Sequence, residues 1–197
     1  MTPKEKIELF HDEINAIKNP NMKIAVMVAL AEVVPDYFFT IPASSTGKYH
    51  PSYCLGDGGL VRHSKALVRI GLNMIQFKTL FDFTDNERDI FIVAGILHDG
   101  AKSGIEQSNF TVHEHPLIIT ELLSKNTKVM DALENTCMGT SDILFQCINC
   151  HMSQWNTNKY SNVVLPLPKT KLDAIVALSD YLASRKNIEI DFNTPIS

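Results

Sequence analysis

The sequence predicts an all-α fold, a single compact multi-helix bundle, on three observations. Apolar residues recur at helical spacing in segment after segment. Helix-start signals, several of them capping boxes, precede those segments. No run shows the strict alternation of a half-buried strand.

The elements follow in order along the chain. Thr2, Pro3 and Glu5 form a capping box with proline at the first helical position, opening a helix expected to reach about Ile17. A second helix is expected from about Pro20 to Val34, stopping before Pro35. Pro35 to Gly58 is a long irregular stretch carrying PAS, TGKYHP and GDGG, and loops of that length in compact domains are usually functional. A third helix starts near Gly59, with Leu60, Ser64, Leu67, Gly71 and Met74 on one side. Thr84 and Glu87 form another capping box, opening a helix through Ile96 to about Asp99. Further helices are expected over 114–125, 127–137, 141–152 and 170–187, the last capped by Thr170 after the proline-containing loop VVLPLPKT. All 197 residues are read as one domain, with the helices of residues 1–34 packed on a core of about residues 40–185.

Composition narrows the class. Hydrophobic residues at 45% and charged residues at 20% fit a globular chain with a full core. A net charge of −4 excludes an overall basic field for gripping long nucleic acid, though not a local basic groove. The N-terminus MTPKEKIELF lacks an apolar signal-peptide core, and the longest apolar run, IAVMVALAEVV, is too short to span a membrane. Cys54, Cys137, Cys147 and Cys150 do not form a disulfide framework in so long a chain. The expectation is a cytoplasmic protein with reduced thiols and no membrane partner. The sequence does not fix an oligomeric state.

Function is sought among polar residues that interrupt apolar helix faces. A buried carboxylate or imidazole costs several kcal/mol unless it is paired or bound to metal. His63 sits among Leu60, Leu67 and Val68. His98 and Asp99 end IFIVAGILHD, His115 opens HPLIITELL, His151 ends ILFQCINCH, and Asp180 interrupts AIVALSDYLA. Each alone reads more readily as a hydrogen-bonded core residue, or for Asp180 a buried ion-pair partner, than as a ligand. Six on five predicted helices share ligand chemistry, and imidazole with carboxylate suits Mn, Fe, Co, Ni or Zn.

The ordered series His63, His98-Asp99, His115, His151 and Asp180 resembles the HD superfamily of metal-dependent phosphohydrolases. GGLVRHSKAL is similar to the family's GGLLxHS segment, AGILHDGAK to xxLLHDIGK, and HPLIITELL to HPxxGxxIL. PASSTGKYHP, HMSQW and LPLPKT bring it nearest in wording to the HD domains of 3′-to-5′ exoribonucleases. Cys150-His151 stands where a His-His pair is common there, and His50-Pro51 replaces another.

The resemblance implies a mechanism. His63, His98, Asp99 and Asp180 would hold one divalent ion; His115 and His151 would hold a second, with Asp99 bridging. The cofactors expected are thus one or two divalent ions, with Mg also possible. They would activate water against a phosphate mono- or diester of a nucleotide or short oligonucleotide. Lys102, three residues after Asp99, shares its face and is expected to contact a phosphate oxygen; Asp99 and Lys102 are the catalytic expectations. Ser44, Ser45, Lys48 and His50 are the expected substrate contacts in the long loop. The rival reading is a non-catalytic metal- or nucleotide-binding regulatory module with the same fold.

Two motifs point elsewhere. Cys147-Ile-Asn-Cys150-His151 matches the haem-attachment pattern CxxCH, but the larger series already claims His151 and no export signal is present, so no haem is expected. The same CxxC lacks the βαβ context of a thioredoxin-like redox pair. Asp173 reads as a first-turn helix acid.

Overall fold

The structure, a computed structural model, describes residues 1–44, 47–48 and 50–196. Among these there is no strand, and nine α-helices carry the chain: α1 Pro3–Glu8, α2 His11–Ala16, α3 Pro20–Val28, α4 Gly59–Ile75, α5 Asp85–Leu97, α6 His115–Lys125, α7 Thr127–Glu134, α8 Thr140–Asn149 and α9 Lys171–Ala183. The all-α class holds.

The helix starts are where the capping residues placed them. Thr2, Thr84 and Thr170 each accept a hydrogen bond from the backbone three residues on, and Glu5, Glu87 and Asp173 return it to the cap. Asn19 caps α3 and Asn126 caps α7 in the same way.

Several expected ends shift, each for a tertiary or local hydrogen-bonding reason. The single helix from Thr2 to Ile17 is two helices. At Phe10 the N–H reaches back three residues to Ile7, and the turn seats the fully buried Phe10 ring on Phe38, centroids 6.2 Å apart. The second helix does reach Val33, but its last stretch, Ala29–Val33, is a π-turn closed by Val34 N–H to Ala29 O at 2.9 Å. α7 stops at Glu134, where the Thr136 N–H tightens onto Leu133 O. α8 ends at Asn149, with the His151 N–H turned back to Ile148 O. α9 ends at Ala183, where the Ser184 hydroxyl donates to Tyr181 O at 2.8 Å.

The core lies between α4, α5, α8 and α9. α4 packs on α5 and α9; α5 also packs on α8 and α9; α6 leans on α7 and α8. Leu60, Leu67, Phe91, Ile96, Ile148 and Val176 are fully buried between them. Gly71 lets three helices meet. A Cβ there would lie 2.0 Å from Phe91 Cζ and 2.7 Å from Ser179 Oγ.

The N-terminal helices are tied to this core by polar contacts at buried points. Asp89 on α5 accepts the backbone N–H groups of Lys18 and Asn19, at 3.0 and 2.7 Å. Lys6 is buried, pairs with Asp36 at 2.6 Å and lies over the Phe39 ring. Glu13 on α2 is fully buried against Arg69 and Lys65 of α4, at 3.5 and 3.6 Å, and burial pushes its carboxyl pKa up despite those cations.

Two predictions come from this packing. Gly71→Ala should cost about 1–3 kcal/mol by overpacking, read as a lower urea midpoint. Glu13 binds its proton more tightly folded than unfolded. Its contribution to stability is therefore greatest below its unfolded pKa of about 4.3 and is lost as pH rises through the raised folded value. Wild type minus Glu13→Gln stability should thus fall with rising pH across that window; a difference that stays flat or rises would refute it.

Candidate metal centre

Five helices deliver one end or one turn each to a common point. α4 supplies His63 from its second turn, and α5 ends on His98 with Asp99 in the following turn. α6 begins at His115, His151 lies two residues past α8, and α9 supplies Asp180. All are buried except Asp180, whose side chain is 20% exposed and so meets solvent.

The helix ends orient the imidazoles. His98 Nδ1 lies 2.9 Å from Gly95 O, His115 Nδ1 2.7 Å from Val112 O, and His151 Nδ1 2.7 Å from Ile148 O, in each case a carbonyl three residues earlier. A carbonyl only accepts, so each Nδ1 carries a proton, and in the neutral ring each Nε2 then has its lone pair facing inward. Gly95 also lets α4 come close: a Cβ there would lie 2.7 Å from Leu67 Cδ2.

Asp99 divides the cluster into two halves and belongs to both. Its Oδ2 faces His98 Nε2 at 3.5 Å and His63 Nε2 at 3.8 Å, and Asp180 Oδ1 completes that half at 2.8 Å from His63 Nε2 and 3.6 Å from His98 Nε2. Its Oδ1 faces His115 Nε2 at 2.9 Å and His151 Nε2 at 3.7 Å. All six residues expected from the sequence are thus brought together.

The donor set fits cations. With their Nδ1 protons committed, His115 and His151 present two lone pairs to each other, Nε2 to Nε2, at 3.2 Å. His98 Nε2 is buried with no hydrogen-bond partner. Opposed acceptors and an orphaned nitrogen are unsatisfied as a hydrogen-bond network and satisfied as ligands. The ligand atoms of His63, His98 and Asp180 lie within 4.8 Å of one another, as do those of His98, Asp99 and His151.

The electrostatics agree. Burial would raise both carboxyls, yet Lys102 and His98 hold Asp99, and His63 and His98 hold Asp180, well below the usual range. Burial and the neighbouring His98 and His115 push His151 down to about 3, leaving it neutral. Burial opposes a charge on His98, but Asp99 and Asp180 overcome it and draw the imidazole up to about 10, so with no cation between these groups Nε2 carries a proton, which a bound cation would displace. The cluster therefore keeps two ionised carboxylates and collects positive charge.

Lys102 is no solvated surface lysine. Its Nζ pairs with Asp99 Oδ2, and its side chain is 15% exposed. Burial would lower its pKa, but Asp99 and Asp180 raise it. Tyr37 pins this turn, donating to Gly104 O at 2.6 Å and accepting from Ser103 N–H at 3.1 Å.

Above the cluster a small mouth opens, lined by His50, His63, Lys102, Asp180, Tyr181 and Arg185, with Trp155 and Ser184 at its edge. Of the expected loop contacts, His50 reaches it. Its ring lies 6.0 Å from that of His63, its Nδ1 is buried without a partner, and burial, with His63 and Lys102 nearby, lowers its pKa to about 4. Ser44 instead accepts from Gly47 N–H at 3.2 Å inside its loop, and Lys48 is exposed; neither lines the mouth. Ser45 lies outside the described residues. Arg62 is spent on the carbonyls of Tyr53 and Leu55. His113 is buried at Val163 O. Cys147 and Cys150 are buried, the Cys147 thiol against Asp173 and that of Cys150 against Cys147 O.

Trp155, Tyr181 and Arg185 were missed by the sequence reading. Their signal was position: each lies within about one turn of a cluster residue, Trp155 after His151 and the other two after Asp180.

The HD domain family model matches residues 61–185, a span that encloses all six cluster residues, and the chain belongs to that family. HD domains are generally metal-dependent hydrolases and bind divalent metals. No curated protein and no solved structure matches the chain.

Tyr37→Phe should leave Gly104 O and Ser103 N–H without their partner in a buried setting. The expected cost is about 1–3 kcal/mol, measured by denaturant unfolding.

Proposed function

We propose that this chain hydrolyses a phosphate mono- or diester of a nucleotide or short oligonucleotide, using divalent ions held by the six-residue cluster. The observation that carries this reading is the shared carboxylate of Asp99, one oxygen in each half of the cluster, beneath a mouth rimmed by cations. His63, His98, Asp99 and Asp180 would hold one ion, and His115, His151 and Asp99 a second. Bound there, divalent ions supply Lewis acidity that polarises a phosphate oxygen and acidifies water near neutral pH.

The chain's own residues supply the rest. Lys102 and Arg185 place positive charge at the mouth, where a phosphate group would sit. His50, neutral by virtue of its lowered pKa, offers an unpartnered Nδ1 to a phosphate oxygen. Lys102 also fixes the Asp99 carboxylate through its Oδ2, which would keep both oxygens turned to the histidines. The wording of PASSTGKYHP and HMSQW, nearest to exoribonuclease HD domains, supports a nucleotide-type substrate. The net charge of −4 favours a small one over long nucleic acid.

Purified protein loaded with Mn, Co, Ni or Zn should turn over bis-p-nitrophenyl phosphate, p-nitrophenyl phosphate or a member of a nucleotide panel. Asp99→Ala should abolish that turnover and lower the metal content by elemental analysis. Lys102→Gln should lower kcat about 10–100-fold, as loss of a residue supporting a ligand does. Turnover that survives Asp99→Ala would sink the reading. A full panel without turnover would assign the chain to the non-catalytic regulatory module.

A further inference from the structure

The mouth is too small for a whole nucleotide. Its volume is about 170 Å³, below the 300 Å³ or more of typical ligand pockets, and its polar lining suits a phosphate. A second, larger cavity of about 600 Å³ adjoins it, lined among others by Gln154, Trp155, Leu167, Pro168, Leu178 and Tyr181. Trp155 and Tyr181 line both, so these two rings are the boundary the cavities share.

The larger cavity has the chemistry of a planar, apolar ligand. Trp155 stacks on Tyr181, centroids 5.7 Å apart and planes 19° apart, and Arg185 lies over the Tyr181 ring at 4.5 Å. The indole is still 46% exposed, which leaves surface for another flat partner, and Leu167 and Leu178 are exposed beside it. Gln154 brings an amide able to meet a polar edge.

Both walls are held in place. Ser153, the one non-glycine residue with positive φ among the described residues (+46°), starts the tight turn that presents Trp155. Asn156 locks that turn to the opposite loop, accepting from Leu165 N–H at 2.9 Å and donating to Leu165 O at 3.0 Å. A separate cavity on the other side of Lys102 is about 190 Å³, less than a third of the Trp155–Tyr181 cavity, and has no pair of stacked rings in its lining.

We infer that the Trp155–Tyr181 groove is a base-binding subsite, in which a nucleobase stacks on Trp155 while its phosphate enters the mouth at Lys102, His50 and Arg185. This rests on the phosphohydrolase reading for its phosphate half and specifies the substrate as a phosphate ester bearing a nucleobase. A phosphate ester without a base would fill the mouth and leave the groove empty.

Trp155 is the sole tryptophan of the chain, so its fluorescence reports the groove directly. The full-length protein is titrated with each of the four nucleoside 5′-monophosphates and with ribose 5-phosphate, both metal-free and with Mn. Saturable quenching by at least one nucleotide and none by ribose 5-phosphate is expected. In turnover, Trp155→Ala should lower the ratio of kcat/KM for that nucleotide over ribose 5-phosphate about tenfold, the size of one base–aromatic stack, and Trp155→Phe should restore most of it. Absence of base-dependent quenching, or a ratio unmoved by Trp155→Ala, overturns the subsite even if hydrolysis is robust. Base-dependent quenching in a protein that hydrolyses nothing leaves the subsite standing and removes the hydrolase. If Trp155→Ala does not fold, the wild-type titration and the Trp155→Phe ratio decide.

Discussion

The carboxylate of Asp99 is the constraint on which the centre depends. It is fully inside the protein, it is ionised, and each of its oxygens faces a different pair of histidines. A buried charge of this kind is tolerated only where enough positive charge or enough donors surround it. Lys102 provides part of that compensation from one side, and the inward-facing Nε2 atoms of four imidazoles surround the rest. The helices can be read outward from this point, because each is needed to bring one group to within 4 Å of it or of its neighbour Asp180.

The imidazoles are oriented by where they sit along their helices. Three of the four occupy helix ends, where the carbonyl three residues back is within reach of Nδ1. Outside the regular ladder such a carbonyl can take a side-chain donor as well as a backbone one: Val112 O and Ile148 O each also accept the backbone N–H of the same histidine. Backbone geometry thus sets the tautomer, and the tautomer sets the chemistry. The premature end of α8 matters for this reason: had the helix run on to Met152, His151 would lack the turn that directs its Nδ1 to Ile148 O.

The helices and the cluster were legible in the sequence because their signals are local. Thr2, Thr84 and Thr170 announce helix starts within four residues, and a histidine or aspartate inside an apolar face stands out wherever it falls. The elements that escaped are governed by distant partners. Phe10 breaks its helix to reach Phe38, and nothing near Phe10 in the chain says so. Trp155, Tyr181 and Arg185 are unremarkable residue types on their own segments, and become a surface only when α9 and the turn after α8 are set side by side. Among the loop residues, His50 reaches the mouth while Ser44 and Lys48 do not, since a loop's polar composition says nothing of which side chains it turns inward. Family membership follows from the match over residues 61–185.

His63 and Asp180 touch across 117 residues of chain. Four of the six cluster residues lie between them in sequence, so the centre has no partial version made from one stretch. As the chain leaves the ribosome, α9 appears after every other helix of the cluster, and the half of the cluster built on His63 and His98 stays one oxygen short until it does. The six-residue cluster is therefore a late product of folding: a chain interrupted before Asp180 carries the histidines but not the carboxylate that faces two of them.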